Sequence, residues 1–193
     1  MSKKSDVLQA SARILTDFGS MKYSVRQVAK SAGLRVSHVQ YYFPTKEDLL
    51  IATAQQVCDQ AHFRLSRPLR LGRSPHDQAQ TIVTEIFESL DTPSGSTAIW
   101  ELWALAGHHT EIASILAGFY AKLRKVFTHL LGKAQPQLGT GRHESLACCL
   151  VALVEGSGAM IAHNRALDSQ LVNLRSEIAL LVTQIFSPEQ SRV

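Results

Sequence analysis

The stretch over residues 24–46, SVRQVAKSAGLRVSHVQYYFPTK, constrains the fold more than any other part of the chain. Ser24 is a typical helix N-cap, because its hydroxyl can accept from the free amides of a first turn, and Gln27 completes a capping-box pattern. Gly33 suits the positive φ at which a helix ends, and Pro44 closes a second short helix. The pattern therefore predicts two short helices joined by a tight turn, a helix-turn-helix.

The second of these helices carries an unusual number of side chains that can form hydrogen bonds. Its outward positions hold Arg35, Ser37, His38, Gln40, Tyr41 and Tyr42. Base edges in the major groove present donors and acceptors, and phosphates accept from hydroxyls and amines. We therefore expect this helix to read DNA. The alternative is a helical hairpin whose polar face is only solvated.

The positive charge of the chain is concentrated in the same region. Residues 1–50 contain eight Lys and Arg and four acidic residues, whereas the remainder contains twelve of each, so the net charge of +4 lies entirely on the first segment. Phosphate binding favours such a concentration, although a solvated basic surface has the same composition.

Periodic apolar residues predict helices along the rest of the chain, and no stretch alternates as a strand would. A first helix over 5–18 joins the helix-turn-helix in a three-helix DNA-binding head, residues 1–48. An α-helical body follows over 49–193, which makes an all-α protein of about nine helices. Residues 66–75, rich in Arg and interrupted by Pro and Gly, are interpreted as a linker.

The composition is that of a globular protein rather than a disordered one, with 45% hydrophobic and 19% charged residues. No apolar run reaches the ~18 residues of a membrane span, and the start MSKKSD lacks the apolar core of a signal peptide. Of the three cysteines, Cys148 and Cys149 are adjacent in an apolar helical stretch. That placement indicates reduced core thiols in a cytoplasmic protein rather than a disulfide framework.

The last two predicted helices differ in character, and the first of them is apolar on two sides and therefore needs partners on two sides. The first has two apolar stripes, and the second has a seam whose spacing alternates between four and three residues, as two packed helices share. We expect these helices to form a four-helix bundle with a second copy through Leu150, Val154, Gly158, Leu171, Leu174, Ile178, Leu181 and Ile185. Filling of both stripes within one subunit is the alternative.

With the motif placed, the chain resembles the TetR family of one-component regulators. The resemblance rests on a first helix, then SVRQVAKSAG, then a short helix ending YYFPTKEDLL, where the family usually has Y-x-Y/H-F-x-S/T-K-E-x-L. The body resembles the BetI-like branch through AIWELWALAGHHTEIASILAGFYAKLRKVF and ALVEGSG. The resemblance implies a DNA-binding head on an α-helical body that dimerises and binds a ligand.

The resemblance also implies roles for individual residues of the head. DNA contacts would come from Ser24 and Arg26 at the start of the second helix, from Ser37, His38 and Gln40 on bases or nearby phosphates, from Tyr41 and Tyr42 along the backbone, and from Lys46 on a phosphate. Arg35 stands where the family often has a small hydroxyl residue, so the recognition helix loses its usual N-cap. His38 and Gln40 also depart from the common residues, which suggests an operator of its own sequence.

The body has aromatic and polar side chains on otherwise apolar helices, as expected around a ligand pocket. They are Trp100, Trp103, His108, Tyr120, Glu155 and His163. Each has a structural explanation as well, because aromatic residues fill cores and a glutamate can be a surface or interface charge.

We find no catalytic or metal-binding constellation in the sequence. His108 and His109 come closest, but adjacent residues on a helix point about 100° apart, so the two imidazoles cannot easily share one ion. Cys148 and Cys149 lack the two-residue spacer of redox and zinc pairs. We therefore expect no metal, no cofactor and no enzymatic activity; an enzyme on a helical scaffold is the rival interpretation.

Together these features predict a repressor that binds a pseudo-palindromic double-stranded DNA operator as a homodimer and is released by a small-molecule effector, without a membrane partner. Two recognition helices would enter major grooves roughly 34–36 Å, or a multiple of that distance, apart. The second rival is a helical interaction protein that keeps the fold without specific DNA binding. Affinity for DNA that falls steeply with salt would separate the two.

Overall fold

The computed structural model of the chain describes residues 2–91, 97–163 and 169–187, and side-chain positions within 2–89, 98–160 and 173–187. These residues form nine α-helices and no β-strand, which confirms the all-α prediction. The helices are α1 (Lys3–Lys22), α2 (Val25–Ser31), α3 (Val36–Tyr42), α4 (Lys46–Ser66), α5 (Pro75–Asp91), α6 (Thr97–Ala106), α7 (Thr110–Ala134), α8 (Thr140–His163) and α9 (Ser169–Phe186).

The stretch between α4 and α5 is more regular than the linker interpretation predicts. Arg67–Arg70 form a single turn of 3₁₀ helix, and Pro68 is buried within it. Proline is compatible with the start of such a turn, because the first amides of a helix have no intrahelical acceptor.

The chain divides into two compact units, and the division differs from the predicted boundary at residue 48. The first unit comprises 1–61 and 92–119, and the second comprises 62–91 and 120–193. α6 and the first part of α7, which the sequence assigns to the body, therefore group with the DNA-binding head. Helices α4 and α7 each begin in the first unit and end in the second.

In the first unit, α1 packs against α2, α3 and α6. Val7, Leu15, Val28, Val39 and Leu49 are almost completely buried there. Full burial of side chains of this size contributes about 1.5–3 kcal/mol each relative to exposure. This core supports the two short helices of the helix-turn-helix, which are too short to be stable alone.

In the second unit, α5 packs against both α8 and α9, which also contact each other. Two glutamine amides hold α9 in place. The side-chain amide of Gln80 donates to the carbonyl of Ala179 at 2.6 Å and to the hydroxyl of Thr183 at 2.8 Å. The side-chain amide of Gln135 donates to the carbonyls of Ile185 and Ser187 near the end of α9.

The burial of α8 and α9 corrects part of the predicted dimer interface. Leu150, Val154 and Ile178 are at most 1% exposed in the single chain, and Gly158 is buried as well. These residues lie in the core of their own subunit, in which α5, α8 and α9 pack against one another. Their side chains are therefore not available to a second copy. This burial fits the alternative in which the apolar stripes are filled within one subunit.

The other predicted interface residues lie nearer the surface. Leu174 and Ile185 are half-buried and Leu181 is 42% exposed, whereas the side chain of Leu171 lies outside the described residues. Cys148 and Cys149 are both exposed, so the expectation of core thiols is wrong for this pair. They lie on the side of α8 opposite its buried stripe.

Candidate nucleic-acid interface

α2 begins at the N-cap that the sequence predicts. The hydroxyl of Ser24 accepts from the backbone amide of Gln27 at 3.3 Å, and the same hydroxyl donates to the side-chain carbonyl of Gln27 at 3.1 Å. The capping box is thus only half built, because the side chain of Gln27 bonds to the hydroxyl of Ser24 rather than to its amide. Ser24 is half-buried at this cap, and Arg26 on the first turn is exposed.

The turn after α2 is a Schellman motif. The amide of Leu34 donates to the carbonyl of Ala29 at 2.9 Å, and the amide of Gly33 donates to the carbonyl of Lys30 at 3.2 Å. Gly33 has a φ of 65°, and a Cβ placed on it would meet no heavy atom within 4 Å. Glycine is therefore needed at this position for its backbone conformation, not for space.

α3 is anchored through one face and exposed on the other. Val39 is completely buried and fixes the rotation of the helix on the head. The exposed positions are Arg35, Ser37, His38, Gln40 and Tyr41, whereas Tyr42 is half-buried. Tyr41 is 81% exposed, and its ring packs edge-on against that of Tyr42, with the centroids 5.2 Å apart. The structure thus brings the predicted base-reading residues together on one accessible face.

Arg35 occupies the N-cap position of α3 and makes no side-chain cap hydrogen bond. The first amides of α3 therefore have no side-chain acceptor from this residue, as the departure from the family pattern predicts. Free amides at a helix N-terminus favour an anion, and a DNA phosphate would be one.

α4 begins with a complete capping box. The amide and the hydroxyl of Thr45 both donate to the carboxylate of Asp48, at 3.0 and 2.7 Å, and the amide of Asp48 donates back to the hydroxyl of Thr45 at 3.0 Å. Lys46 follows this cap and is exposed, with its ammonium 5.8 Å from the centroid of the Tyr23 ring. The cap and the aromatic ring together orient Lys46 at the surface.

The segment from α2 to the start of α4 is positively charged and contains no acidic residue. Its cations are Arg26, Lys30, Arg35 and Lys46, and all four are exposed. Lys30, in the last turn of α2, is absent from the predicted site, although the charge count located it on this segment. An accessible surface with four cations and hydroxyl, amide and imidazole groups can bind a phosphate backbone and hydrogen-bond to base edges.

Two family descriptions match most of the chain. Residues 7–53 match the description "Bacterial regulatory proteins, tetR family", and residues 75–188 match "BetI-type transcriptional repressor, C-terminal". The protein belongs to the TetR family of transcriptional regulators. The first match covers all three helices of the helix-turn-helix head and confirms that this TetR-family chain carries the DNA-binding fold.

Individual relatives agree with this assignment. An uncharacterized HTH-type regulator in the dhlA 5′ region of Xanthobacter autotrophicus is 27% identical over 172 residues, covering 86% of this chain and 84% of the relative. The HTH-type transcriptional regulator BetI of Brucella suis is 22% identical over 182 residues, covering 93% and 87%.

Solved structures share the fold. A transcriptional regulator from Rhodococcus sp. Rha1 superposes with a TM-score of 0.81 at 22% identity, covering 95% of this chain and 96% of the other. A structure from Saccharomonospora viridis, described as a transcriptional regulator in complex with choline, has a TM-score of 0.76 at 16% identity and covers 93% and 95%.

Among the candidate ligand residues of this TetR-family protein, the structure brings together Tyr120 on α7 and Glu155 on α8. The hydroxyl of Tyr120 donates to the carboxyl of Glu155 at 3.2 Å. Burial raises the pKa of Glu155 above its ordinary value, and the hydrogen bond from Tyr120 offsets part of that effect. The pair lies in the second unit.

The remaining candidates belong to the other unit or lie outside the described side chains. Trp100, Trp103 and His108 belong to the first unit, where Trp103 is 55% exposed and His108 is exposed. The side chain of His163 lies outside the described residues. The prediction of one pocket formed by all six residues therefore stays untested.

Neither a metal site nor a membrane span is found in the part of the chain that the structure describes. No group of three His, Cys, Asp or Glu side chains is placed to hold a metal ion within the described ranges. His109 instead lies beside Glu47, with Nδ1 and Oε1 3.5 Å apart. None of the described helices is long and apolar enough to cross a membrane.

Proposed function

We propose that this TetR-family protein is a cytoplasmic repressor that binds a pseudo-palindromic operator as a homodimer and releases it when a small molecule binds the body. The observation that carries the proposal is the exposed face of α3. It presents hydrogen-bonding side chains on a helix whose opposite side is anchored by the buried Val39.

For operator recognition, α3 would enter the major groove. His38 and Gln40 are exposed near its middle and have side chains that can pair with purine edges. Arg26 and Lys46 flank them on the neighbouring helices and would bind phosphates, which fix the register of the head without carrying sequence information. Two such heads related by a twofold axis would read two half-sites.

For dimerisation, the exposed face of α8 and α9 is the candidate surface. Met160 and Leu180 are each 55% exposed, and Leu181 is 42% exposed. Ala152 and Gly156 on α8 are exposed as well and would let a second backbone approach closely. In this proposal these exposed residues take the place of the buried Leu150, Val154, Gly158 and Ile178 in the interface. α8 and α9 from each copy would form the four-helix bundle.

For effector binding, Tyr120 and Glu155 are the candidate polar contacts. Their hydrogen-bonded pair joins α7 to α8 in the half of the chain that matches the BetI-type domain. A ligand that pairs with Glu155 or displaces Tyr120 would change the packing of these two helices. It must bind the released state better than the DNA-bound state, because equal affinity shifts no equilibrium.

The decisive experiment is a gel-shift titration with the DNA that flanks the gene itself, comparing wild type with Gln40→Ala and Lys46→Ala. Wild type should select one fragment and lose affinity as salt increases. Gln40→Ala should reduce discrimination between fragments, whereas Lys46→Ala should weaken all fragments alike and reduce the salt slope by about one.

A second arm covers the case of a distant operator. If no flanking fragment is preferred, selection from random DNA should still enrich one sequence. Failure to enrich any sequence contradicts the repressor proposal and favours the interaction protein that keeps the fold without specific DNA binding.

A further inference from the structure

The backbone of α1 is interrupted shortly before its end. Gly19 has φ 70° and ψ 172°, which are not helical, although the helix resumes and continues to Lys22. Such a break removes the regular i−4 partner from the amides that follow it. The amide of Ser20 therefore needs an acceptor from elsewhere.

That acceptor is a side chain of α6. The amide of Ser20 donates to Oε2 of Glu101 at 2.8 Å, and the two residues are 81 positions apart in the chain. A Cβ placed on Gly19 would lie 3.0 Å from Oε1 of the same carboxylate, closer than Cβ atoms are normally found. Gly19 thus provides both the backbone break and the space that the carboxylate occupies. α1 and α6 pack along each other around this bond.

The bond lies next to the start of the DNA-reading helices. The amide of Tyr23 donates to the carbonyl of Ser20 at 3.3 Å, and Tyr23 is 2% exposed. Ser24, the N-cap of α2, follows directly. Three residues therefore separate Ser20, whose amide Glu101 holds, from Ser24, the cap that orients α2.

A second link joins the segment after α6 to the start of α4. His109 lies 3.5 Å from Glu47, the residue after the exposed Lys46. Between the two links is a cleft of about 230 Å³ whose lining includes Ser20, Tyr23 and Leu105. Of these two links, the one through Glu101 reaches the backbone that leads into α2, whereas the one between His109 and Glu47 joins two side chains.

We propose that Glu101 is a positioning residue for operator binding: its carboxylate fixes the end of α1, and through it the start of α2, from a helix outside the helix-turn-helix. The proposal rests on the DNA-binding function proposed above. The direction of the change in DNA affinity distinguishes this positioning role from a simple charge effect. Removing a negative charge from the DNA-binding unit should by itself strengthen binding to a polyanion, whereas loss of positioning weakens it.

The first test measures, in the protein without DNA, how strongly the bond to Glu101 protects the end of α1 from hydrogen exchange. Amide hydrogen exchange of the peptide covering residues 19–24 should accelerate about tenfold or more in Glu101→Ala. Glu101→Gln should lie between Glu101→Ala and wild type, because its carbonyl can still accept from Ser20 but without charge assistance. Glu111→Gln is the matched control, since Glu111 is an exposed carboxylate of the same unit and should leave exchange in this peptide unchanged.

The second test measures affinity for the selected operator. Glu101→Ala should weaken binding about tenfold, with an unchanged salt slope because no phosphate contact is lost. Glu101→Gln should keep most of the wild-type affinity, and Glu111→Gln should bind as tightly as wild type or slightly tighter. Circular dichroism spectra and unfolding midpoints above the assay temperature show that each variant is folded.

Gly19→Ala provides an independent route to the same bond. Its methyl group meets the carboxylate of Glu101, and alanine is also strained at the positive φ of this position. The variant should therefore lose at least as much affinity as Glu101→Ala, and the double variant should lose less than the product of the two effects. Multiplicative losses in the double variant would contradict the coupling.

Three results overturn the proposal. Unchanged exchange in Glu101→Ala shows that the bond does not hold the end of α1. Faster exchange with unchanged operator affinity shows that this end does not position α2. A weakening of the same size in Glu111→Gln shows that the loss does not come from the bond between Glu101 and Ser20. A wild-type protein that selects no operator refutes the DNA-binding function itself, and the positioning role with it, while the exchange experiment still reports whether the bond exists.

Discussion

The hydroxyl oxygens of Ser11 on α1 and Thr53 on α4 lie 2.6 Å apart in the interior of the first unit. Thr53 uses its own hydrogen on the carbonyl of Leu49, so Ser11 donates to Thr53 and accepts from the hydroxyl of Tyr23. The hydroxyls thus form a directed chain that joins α1, the connection to α2, and α4. Burial raises the pKa of Tyr23, while its bonds to Ser11 and Thr53 act in the opposite direction.

This chain predicts a cost for removing one hydroxyl. Tyr23→Phe should lower the free energy of unfolding by about 1–3 kcal/mol, because the buried hydroxyl of Ser11 loses its donor. Urea denaturation measures the change. Tyr41→Phe is the matched control, since Tyr41 is 81% exposed, and it should leave the midpoint unchanged. Equal midpoints for the two variants would show that the buried chain contributes nothing to stability.

Glu155 predicts a pH dependence of stability. Its pKa in the folded chain is raised above the ordinary value of 4.5, so its contribution to stability is fully present below that value and is lost as the pH rises through the folded pKa. Glu155→Gln stays neutral and should therefore become progressively more stable than wild type as the pH is raised from about 4.5. Thermal unfolding across this range measures the difference.

The exposed Glu177 on α9 provides the comparison. Glu177→Gln should leave the unfolding temperature close to that of wild type, because it replaces a solvated side chain. If Glu155→Gln differs from wild type by a constant amount at every pH, burial of Glu155 does not change its protonation, and the role proposed for its pair with Tyr120 loses its electrostatic basis.

The capping box of α4 predicts a modest loss of stability on its removal. Thr45→Ala should lower the free energy of unfolding by about 1 kcal/mol, because the amide of Asp48 loses its acceptor. Chemical denaturation gives the value, and Thr84→Ala, at an exposed position within α5, should be neutral or slightly stabilising. A loss as large in Thr84→Ala would show that the effect of Thr45→Ala is not specific to the cap.

The exposed face of α8 and α9 predicts a variant that dissociates the dimer. Leu181→Glu should convert the protein to a monomer at micromolar concentration, because a dimer would bury an unpaired carboxylate. Light scattering after size exclusion measures the mass. Leu71→Glu is the control, since Leu71 is 53% exposed and lies outside α8 and α9, between the 3₁₀ turn and α5. A Leu181→Glu protein with the mass of wild type would place the interface elsewhere.

Local signals account for what could be predicted of the head. The cap at Ser24, the turn at Gly33 and the capping box at Thr45 each depend on residues within five positions of one another, so they are readable from the chain alone. The missing cap at Arg35 is of the same kind. The exposed polar face of α3 follows from helical periodicity once Val39 is taken as its buried residue.

Periodicity could not decide how α8 is used. Its two apolar stripes fit burial within one subunit as well as burial against a second copy, because the pattern specifies that a face is covered and not by what. Leu150 and Val154 turn inward, whereas Cys148 and Met160 remain exposed. The packing of α5 and α9 against α8 decides which of these residues are internal.

The sequence by itself thus determined the helices, most of their caps, the helix-turn-helix and the exposed polar face of α3, because each depends on short-range geometry and side-chain chemistry. Only the tertiary structure decided that α6 belongs with the head and that Glu101 accepts from the amide of Ser20. Contacts between residues 81 positions apart depend on how complete helices pack. No local pattern around Gly19 indicates which distant side chain will occupy the space that its missing Cβ leaves.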